Sequence, residues 1–454
     1  MVATAWNPSG TQLAITLQAA DNKDRWIASV DLEKAALVPR HRLSDAAWVN
    51  WGKGDLNWAD DATLLFLSEE SGYAQLRALH FPDGADRAVT TGAFEVSAPI
   101  VDAAGRFAYV VANKNRPIEY EAYRVELKDG AMTELTDLDG VESLALSPDG
   151  RSLLVTHSRP HVPPQLSVVD LATHKAKALT DTRTPAYKAM TFPEPQFVEV
   201  PSTHQPRAIW SKLYLPTGEA PAGGRPAVLF IHGAGYTQDV YLRWPYYFRE
   251  QFFNHLLASQ GYAVLVMDYR ASEGYGRDWR TAIYRQMGYP ELEDLQDGVA
   301  WLAKNHGVDP HRVGLYGGSY GGFLTLMGLF RFPGTFGAGA ALRPVTDWSS
   351  YNQGYTSAIL NTPEVDPEAY MKSSPIEFAA GLRDPLLIAH GMIDDNVFYQ
   401  DSVRLSQRLI ELGKQDWELA SYPMERHSFR HPESWLDEYR RIWTLFGRTI
   451  GHQP

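Results

Sequence analysis

Hydrophobic and polar positions change rhythm near residue 190, and that change splits the chain into two architectures. Upstream, short alternating runs recur with one order of events: a strand ends, a tight turn follows, and an alternating strand begins. The stretches 6–15, 58–66, 101–109 and 146–154 all obey it, with Gly10, Ala62, Gly105 and Gly150 at the turns. Their spacing of roughly 45 residues is the period of a four-stranded propeller blade. Paired strands over 123–127 and 166–171 fill the intervals. Separate hairpins with Asp-Gly turns would look alike at any one position, but the regular recurrence favours blades. About four blades fit, the lower limit for a closed propeller. The pattern therefore predicts a partial β-propeller over 1–190, with further blades missing upstream. From residue 197 onward the rhythm is different: strands over 197–200, 209–215, 227–231 and 263–267, with a helix over 252–259. Alternating strands and helices predict a mostly parallel sheet covered on both faces, placed here over 191–454.

The chemistry sits in this second half. Gly317-Gly318-Ser319-Tyr320-Gly321 follows a strand over 312–316 and opens an apolar helix over 323–327. Glycines two before and two after a serine let the chain bend sharply and lift the hydroxyl clear of the sheet, as a nucleophile elbow requires. A glycine-rich turn of any doubly wound domain could read the same way, so the partners decide. A serine hydroxyl needs a histidine to take its proton and a carboxylate to orient that histidine. In hydrolases of this topology the acid and then the histidine follow on loops after later strands. The strand over 385–391 runs into Met392-Ile393-Asp394-Asp395-Asn396-Val397, which supplies an acid. The strand over 417–423 runs into Met424-Glu425-Arg426-His427-Ser428-Phe429, which supplies a base. Each has a neighbouring rival, Asp395 and His431. His427 and His431 are also spaced to hold a metal on one helical face, but no HExxH motif, cysteine or third clustered ligand accompanies them. His390, at a strand end, reads as structural.

Composition narrows the classes. The chain has 454 residues, 44% of them hydrophobic, enough for two or three cores. A formal charge of −12 excludes nucleic acid or an anionic membrane as the main partner. No apolar run approaches the ~20 residues needed to cross a bilayer, so a soluble chain is expected. Zero cysteines exclude disulfides, thiolate metal sites and cysteine catalysis together. The first residues lack the basic and apolar regions of a secretory signal. The compartment stays open: cytoplasmic as written, periplasmic or secreted if an upstream part is missing.

Three motifs together resemble the prolyl oligopeptidase family of serine peptidases, and within it the dipeptidyl peptidase IV-like branch. They are Gly317-Gly318-Ser319-Tyr320-Gly321-Gly322, Asp268-Tyr269-Arg270-Ala271-Ser272-Glu273-Gly274-Tyr275-Gly276, and His390-Gly391-Met392-Ile393-Asp394-Asp395-Asn396-Val397. The resemblance covers the whole chain and implies propeller blades followed by an α/β-hydrolase domain. It implies Ser319 as nucleophile, Asp394 rather than Asp395 as the orienting acid, and His427 as base. It further implies that Val345, Trp348, Tyr351, Tyr355, Asn396 and Val397 wall an apolar S1 pocket for proline or alanine. The other reading of Trp348, Tyr351 and Tyr355 is one buried helical face.

Two departures from the family pattern bear on activity. Its oxyanion-hole tyrosine aligns with His232 in Ile231-His232-Gly233-Ala234-Gly235-Tyr236. Either the His232 imidazole donates, Tyr236 reaches back, or the Gly233 and Ala234 amides serve, with the Tyr320 amide as the other donor. The paired glutamates that bind a free amino terminus in dipeptidyl peptidase IV have no matching motif; Glu69-Glu70 reads as an exposed turn. The expected function is a serine peptidase that hydrolyses short peptides through an acyl-enzyme, releasing N-terminal dipeptides after Pro or Ala. No metal or organic cofactor is expected, and a homodimer is possible. An acylaminoacyl-peptidase, an oligopeptidase or a carboxylesterase on the same triad are alternatives; a noncatalytic propeller scaffold is the alternative of another class.

Overall fold

The computed structural model describes residues 3–451, which divide into two compact units. The first runs from the N-terminal strands to Phe192 and takes in Tyr241–Pro245 and Glu273–Thr281. It holds four antiparallel sheets of four strands each. These are β1–β4 (Ala3–Trp6, Leu13–Gln18, Asp24–Asp31, Ala36–Ser44), β5–β8 (Leu56–Trp58, Thr63–Ser68, Gln75–His80, Ala85–Ala88), β9–β12 (Ile100–Val101, Phe107–Ala112, Glu121–Glu126, Met132–Glu134) and β13–β16 (Val141–Leu146, Ser152–Arg159, Val162–Asp170, Ala176–Ala178). Successive sheets pack on each other as blades do. On β6, Leu64 and Phe66 join Ala14 and Ile27 of the first sheet, whereas Leu65 and Leu67 join Val110 and Tyr123 of the third. Side chains alternate along a strand, so a blade buried on both faces reads as an unbroken apolar run.

Gly10, Gly105 and Gly150 adopt φ of 69°, 63° and 68° at the blade turns. The second blade turns without a glycine, because the Asp60 carboxylate accepts the Ala62 and Thr63 amides at 2.8 Å each. The exposed turn expected at Glu69-Glu70 is corrected in one respect. Glu70 is exposed, but Glu69 is only 4% exposed and pairs with Arg280 at 2.7 Å. Their separation of 211 residues hid the partner from any local reading.

The second unit comprises Pro193–Val240, Tyr246–Ser272 and the chain from Ala282. Its eight-stranded sheet contains β17 (Gln196–Val200), β18 (Ile209–Tyr214), β19 (Arg225–Ile231), β20 (Ala263–Met267), β21 (Val308–Gly318), β22 (Ala338–Leu342), β23 (Leu386–Gly391) and β24 (Trp417–Tyr422). The order is β17-β18-β20-β19-β21-β22-β23-β24. Pairing is antiparallel at β17–β18 and β18–β20 and parallel from β20 onward. Helices Phe248–Ser259, Pro290–His306, Tyr320–Arg331, Gln400–Glu411 and Pro432–Thr449 accompany it. Every residue of β19, β20, β22 and β23 is buried, the signature of a parallel sheet covered on both faces. No helix among the described residues is long and apolar enough to cross a membrane.

Candidate active site

Four neighbouring parallel strands, β21 to β24, bring their carboxyl ends to one edge of the sheet, where ligands of open α/β sheets bind. Ser319 follows β21, Arg343 follows β22, Asp394 follows β23 and His427 follows β24. Ser319 has φ 58° and ψ −117°, a backbone region costly to any residue with a Cβ. Its N–H donates to the Leu342 carbonyl at 2.8 Å, which ties the elbow to the end of β22. The flanking glycines serve a purpose other than the bend. A Cβ on Gly317 or Gly321 would lie 2.3 or 2.0 Å from the Ile231 carbonyl oxygen, and one on Gly318 would lie 2.7 Å from the Arg343 guanidinium. Close approach demands glycine there, while the positive φ falls on the serine. The helix Tyr320–Arg331 starts at the next residue, so its first amides have no intrahelical acceptor and favour negative charge beside Ser319.

Asp394 is buried and receives four hydrogen bonds. The Asn396 and Val397 amides donate to Oδ1 at 2.9 and 3.0 Å, and His427 Nδ1 donates to Oδ2 at 2.8 Å. His390 Nε2 donates to Oδ2 at 3.2 Å and to the Val397 carbonyl at 2.9 Å, while its Nδ1 accepts from Ser402. Burial alone would raise the Asp394 carboxyl, but the bonds from His390 and His427 outweigh it and hold it well below the usual carboxylate range. Asp395 is exposed and pairs with Arg426 instead. Burial lowers the His427 imidazole below its ordinary value, the Asp394 bond opposes this, and the Arg343 guanidinium adds to it. His431 has a 57% exposed side chain and bonds Glu425 at 2.7 Å.

Glu425 is a residue that sequence reasoning missed. It is buried and its carboxylate accepts the Arg430 and His431 amides at 2.6 and 3.1 Å, closing the loop that carries His427. The Glu425 carbonyl accepts the Ile393 amide at 3.1 Å, which fastens that loop to the Asp394 loop. Gly391 permits the approach, since a Cβ there would lie 2.3 Å from the same carbonyl oxygen.

The groups expected at the oxyanion position have varied surroundings. His232 is 0% exposed and stacks on Tyr269 at 4.2 Å. Its Nδ1 donates to the Gly233 carbonyl at 2.9 Å and its Nε2 accepts from the Ser272 hydroxyl at 2.9 Å. Burial lowers its pKa to about 4, so it is neutral. The Gly233 amide donates to the Tyr247 hydroxyl at 2.8 Å. The Tyr320 side chain is anchored by its hydroxyl to Glu291 at 2.6 Å, which fixes the residue whose amide follows Ser319. Tyr236 is 38% exposed and its ring lies 5.7 Å from that of Tyr355.

Around Tyr355 the aromatic residues gather. Trp348 and Tyr351 lie 5.6 Å apart, Trp348 and Tyr355 6.0 Å, and Tyr351 and Tyr355 5.7 Å. They do not share one helix, because Trp348–Ser350 is a short 3-10 turn and the helix Gln353–Leu360 begins anew. Trp348, Val345 and Val397 are buried, whereas Tyr351 and Tyr355 are partly exposed. The Tyr351 hydroxyl donates to Asn396 Oδ1 at 2.7 Å, which joins the aromatic cluster to the Asp394 loop. The result is a partly open aromatic surface with apolar backing.

Residues 248–453 match the sequence model of the prolyl oligopeptidase family, and residues 1–164 match that of the dipeptidyl peptidase IV N-terminal region. Dipeptidyl peptidase 8 of Homo sapiens is 32% identical over 366 residues, which span 76% of this chain and 40% of the relative. A probable dipeptidyl-aminopeptidase B of Talaromyces marneffei is 29% identical over 388 residues, 80% of this chain and 41% of the relative. The crystal structure of Porphyromonas gingivalis dipeptidyl peptidase 4 superposes with a TM-score of 0.89 at 25% identity, over 98% of this chain and 63% of that one. The chain spans about two fifths of the length of the curated relatives it matches.

Proposed function

We propose, for a chain that belongs to the prolyl oligopeptidase family through residues 248–453, that it is a serine peptidase acting on short peptides through Ser319, His427 and Asp394. The observation that carries this reading is the 2.8 Å bond from His427 Nδ1 to the buried Asp394 carboxylate, on loops one and two strands beyond the one adjoining the Ser319 elbow. Ser319 Oγ attacks the scissile carbonyl while His427 Nε2 takes its proton and then gives it to the departing amine. Asp394 holds the imidazole in the tautomer that leaves Nε2 free and stabilises the imidazolium as it forms. Water then attacks the acyl-enzyme by the same path in reverse.

For the oxyanion we assign the Tyr320 amide and the Tyr236 hydroxyl. The internal bonds of His232 and the engagement of the Gly233 amide by Tyr247 support this choice over both. That engagement also favours a peptidase over the carboxylesterase alternative, whose oxyanion hole would use the Gly233 amide. The aromatic surface of Trp348, Tyr351 and Tyr355 suits a pyrrolidine ring, which offers apolar area and no N–H. It supports cleavage after Pro or Ala, and the likeness to dipeptidyl peptidases supports release of an N-terminal dipeptide.

Turnover of Gly-Pro, acyl-Ala and short-chain ester chromogenic substrates, compared in the parent and in Tyr355→Ala, tests the reading. A lost apolar contact is worth about 1–3 kcal/mol, so Pro-substrate turnover should fall roughly 10- to 200-fold while the small ester is spared. Equal losses on both, with a large drop in melting temperature, would reduce the ring to a core residue and remove the proline pocket.

A further inference from the structure

The helix Pro290–His306 opens with an acid that is shut off from solvent. Glu291 is 0% exposed, although an acid in the first turn gains from the helix dipole at the surface as well, so a helix terminus alone does not require such burial. Both of its oxygens accept the Gly288 amide, at 3.1 and 3.0 Å, and Oε1 also accepts the Tyr320 hydroxyl at 2.6 Å. Gly288 is fixed in turn, because its carbonyl accepts Arg331 Nη1 at 2.8 Å from the far end of the helix that Tyr320 begins. The carboxylate therefore holds the Tyr320 ring from a rigid base. That ring is buried against the loop that follows β19, where a Cβ on Gly235 would lie 2.9 Å from its Cζ. Tyr236 is the next residue. The same ring stands 4.9 Å from that of Phe323 and 5.7 Å from that of Trp348.

We propose that Glu291 is a positioning residue for the oxyanion site, acting through the Tyr320 side chain on both donors assigned there. The inference rests on that assignment. The Tyr320 amide belongs to the anchored residue itself, and Tyr236 continues the backbone that packs on its ring. A ring held by packing alone can tilt about its Cβ, whereas a hydrogen bond at its far end stops the tilt and fixes both the amide and the loop. Glu291 does this without touching substrate. Preorganised donors stabilise charge only at the distance where the tetrahedral oxygen forms, so a slack anchor costs turnover and not substrate affinity.

The test is a double-variant cycle read as kcat and KM on a short-chain p-nitrophenyl ester, with the rate of Ser319 labelling by a fluorophosphonate as a second measure. Burial pushes the Glu291 carboxyl up to about 7, so rates are taken at about pH 8.5, where the parent carries the carboxylate. Tyr320→Phe removes the hydroxyl and keeps the ring and the amide; Glu291→Met removes the acceptor. Each should lower kcat roughly 10- to 100-fold with KM within about three-fold, and the double variant should be no worse than the poorer single one. Glu291→Gln, whose amide oxygen can still accept the Tyr320 hydroxyl, should lose less than Glu291→Met. A merely structural Glu291 would lower the melting temperature and leave kcat alone. Parent kcat and labelling rate in folded Tyr320→Phe overturn the proposal, as do single losses that multiply in the double variant; if Glu291→Met does not fold, Tyr320→Phe, which preserves shape, decides alone. A cut in kcat by Tyr236→Phe beside an unaffected Tyr320→Phe would overturn this inference only, whereas parent kcat in Tyr236→Phe would sink the oxyanion assignment beneath it, so the two failures are distinguishable.

Discussion

Glycine marks the first and fourth blade turns, at Gly10 and Gly150, and the elbow at Ser319, for opposite reasons. At Gly10 and Gly150 the backbone is left-handed and a Cβ would meet nothing within 4 Å, so conformation alone selects the residue. At Gly317 and Gly321 φ is ordinary and a neighbouring strand leaves no room for a Cβ, so space alone selects it. The conformational strain there is carried by Ser319. A turn that only reverses the chain puts its strain on glycine; the elbow puts it on Ser319, the proposed nucleophile, and surrounds it with glycines so that β19 and β22 can hold it.

If that contrast is functional, the strained serine and its histidine should matter to chemistry and hardly at all to folding. Ser319→Ala and His427→Ala should each lower turnover by a factor on the order of 10⁶, with the double variant no worse than either. Fluorophosphonate labelling should vanish in Ser319→Ala. Full turnover in His427→Ala beside an inactive His431→Ala would exchange the two histidines.

The acid sharpens the same contrast at a smaller scale. Asp394→Asn should cut turnover by roughly 10⁴, because the amide favours the wrong imidazole tautomer. Asp395→Asn, which removes only an exposed pair with Arg426, should change turnover by no more than a few-fold. The reverse ranking would show that the buried hydrogen bonds to Asp394 serve the loop and not the reaction.

What the sequence made legible follows from range. Blade turns recur at a fixed spacing, and strand ends can be placed from local apolar runs, so the architecture and the placing of Ser319, Asp394 and His427 on loops after parallel strands were readable from the sequence. Pairings across long separations were not. Glu69 looked like a surface turn because Arg280 is remote in sequence. Glu425, Tyr247 and Glu291 carried no motif, since each acts by a carboxylate or hydroxyl meeting a group that only the folded sheet brings near. The elbow glycines were recognised as necessary, but for flexibility; the Ile231 carbonyl beside them belongs to a strand about 85 residues earlier and could not be inferred from the turn itself.

The smallest effects test the comparison most directly. Gly321→Ala should place a methyl 2.0 Å from the Ile231 carbonyl oxygen and force backbone apart, a cost of about 3 kcal/mol of the kind overpacking produces. Because the displaced atoms flank Ser319, fluorophosphonate labelling should slow as well. Gly150→Ala meets no atom; it pays only the left-handed conformation, roughly 1–2 kcal/mol, less about 0.4–1 kcal/mol regained from a stiffer unfolded chain. Its net loss should be about 1.6 kcal/mol or less, with labelling untouched. Gly150→Asn, a residue that tolerates left-handed backbone, should recover most of that loss, whereas Gly321→Asn should be worse than Gly321→Ala. Asparagine rescuing Gly321 as it rescues Gly150 would mean that conformation, and not space, selects glycine at both places.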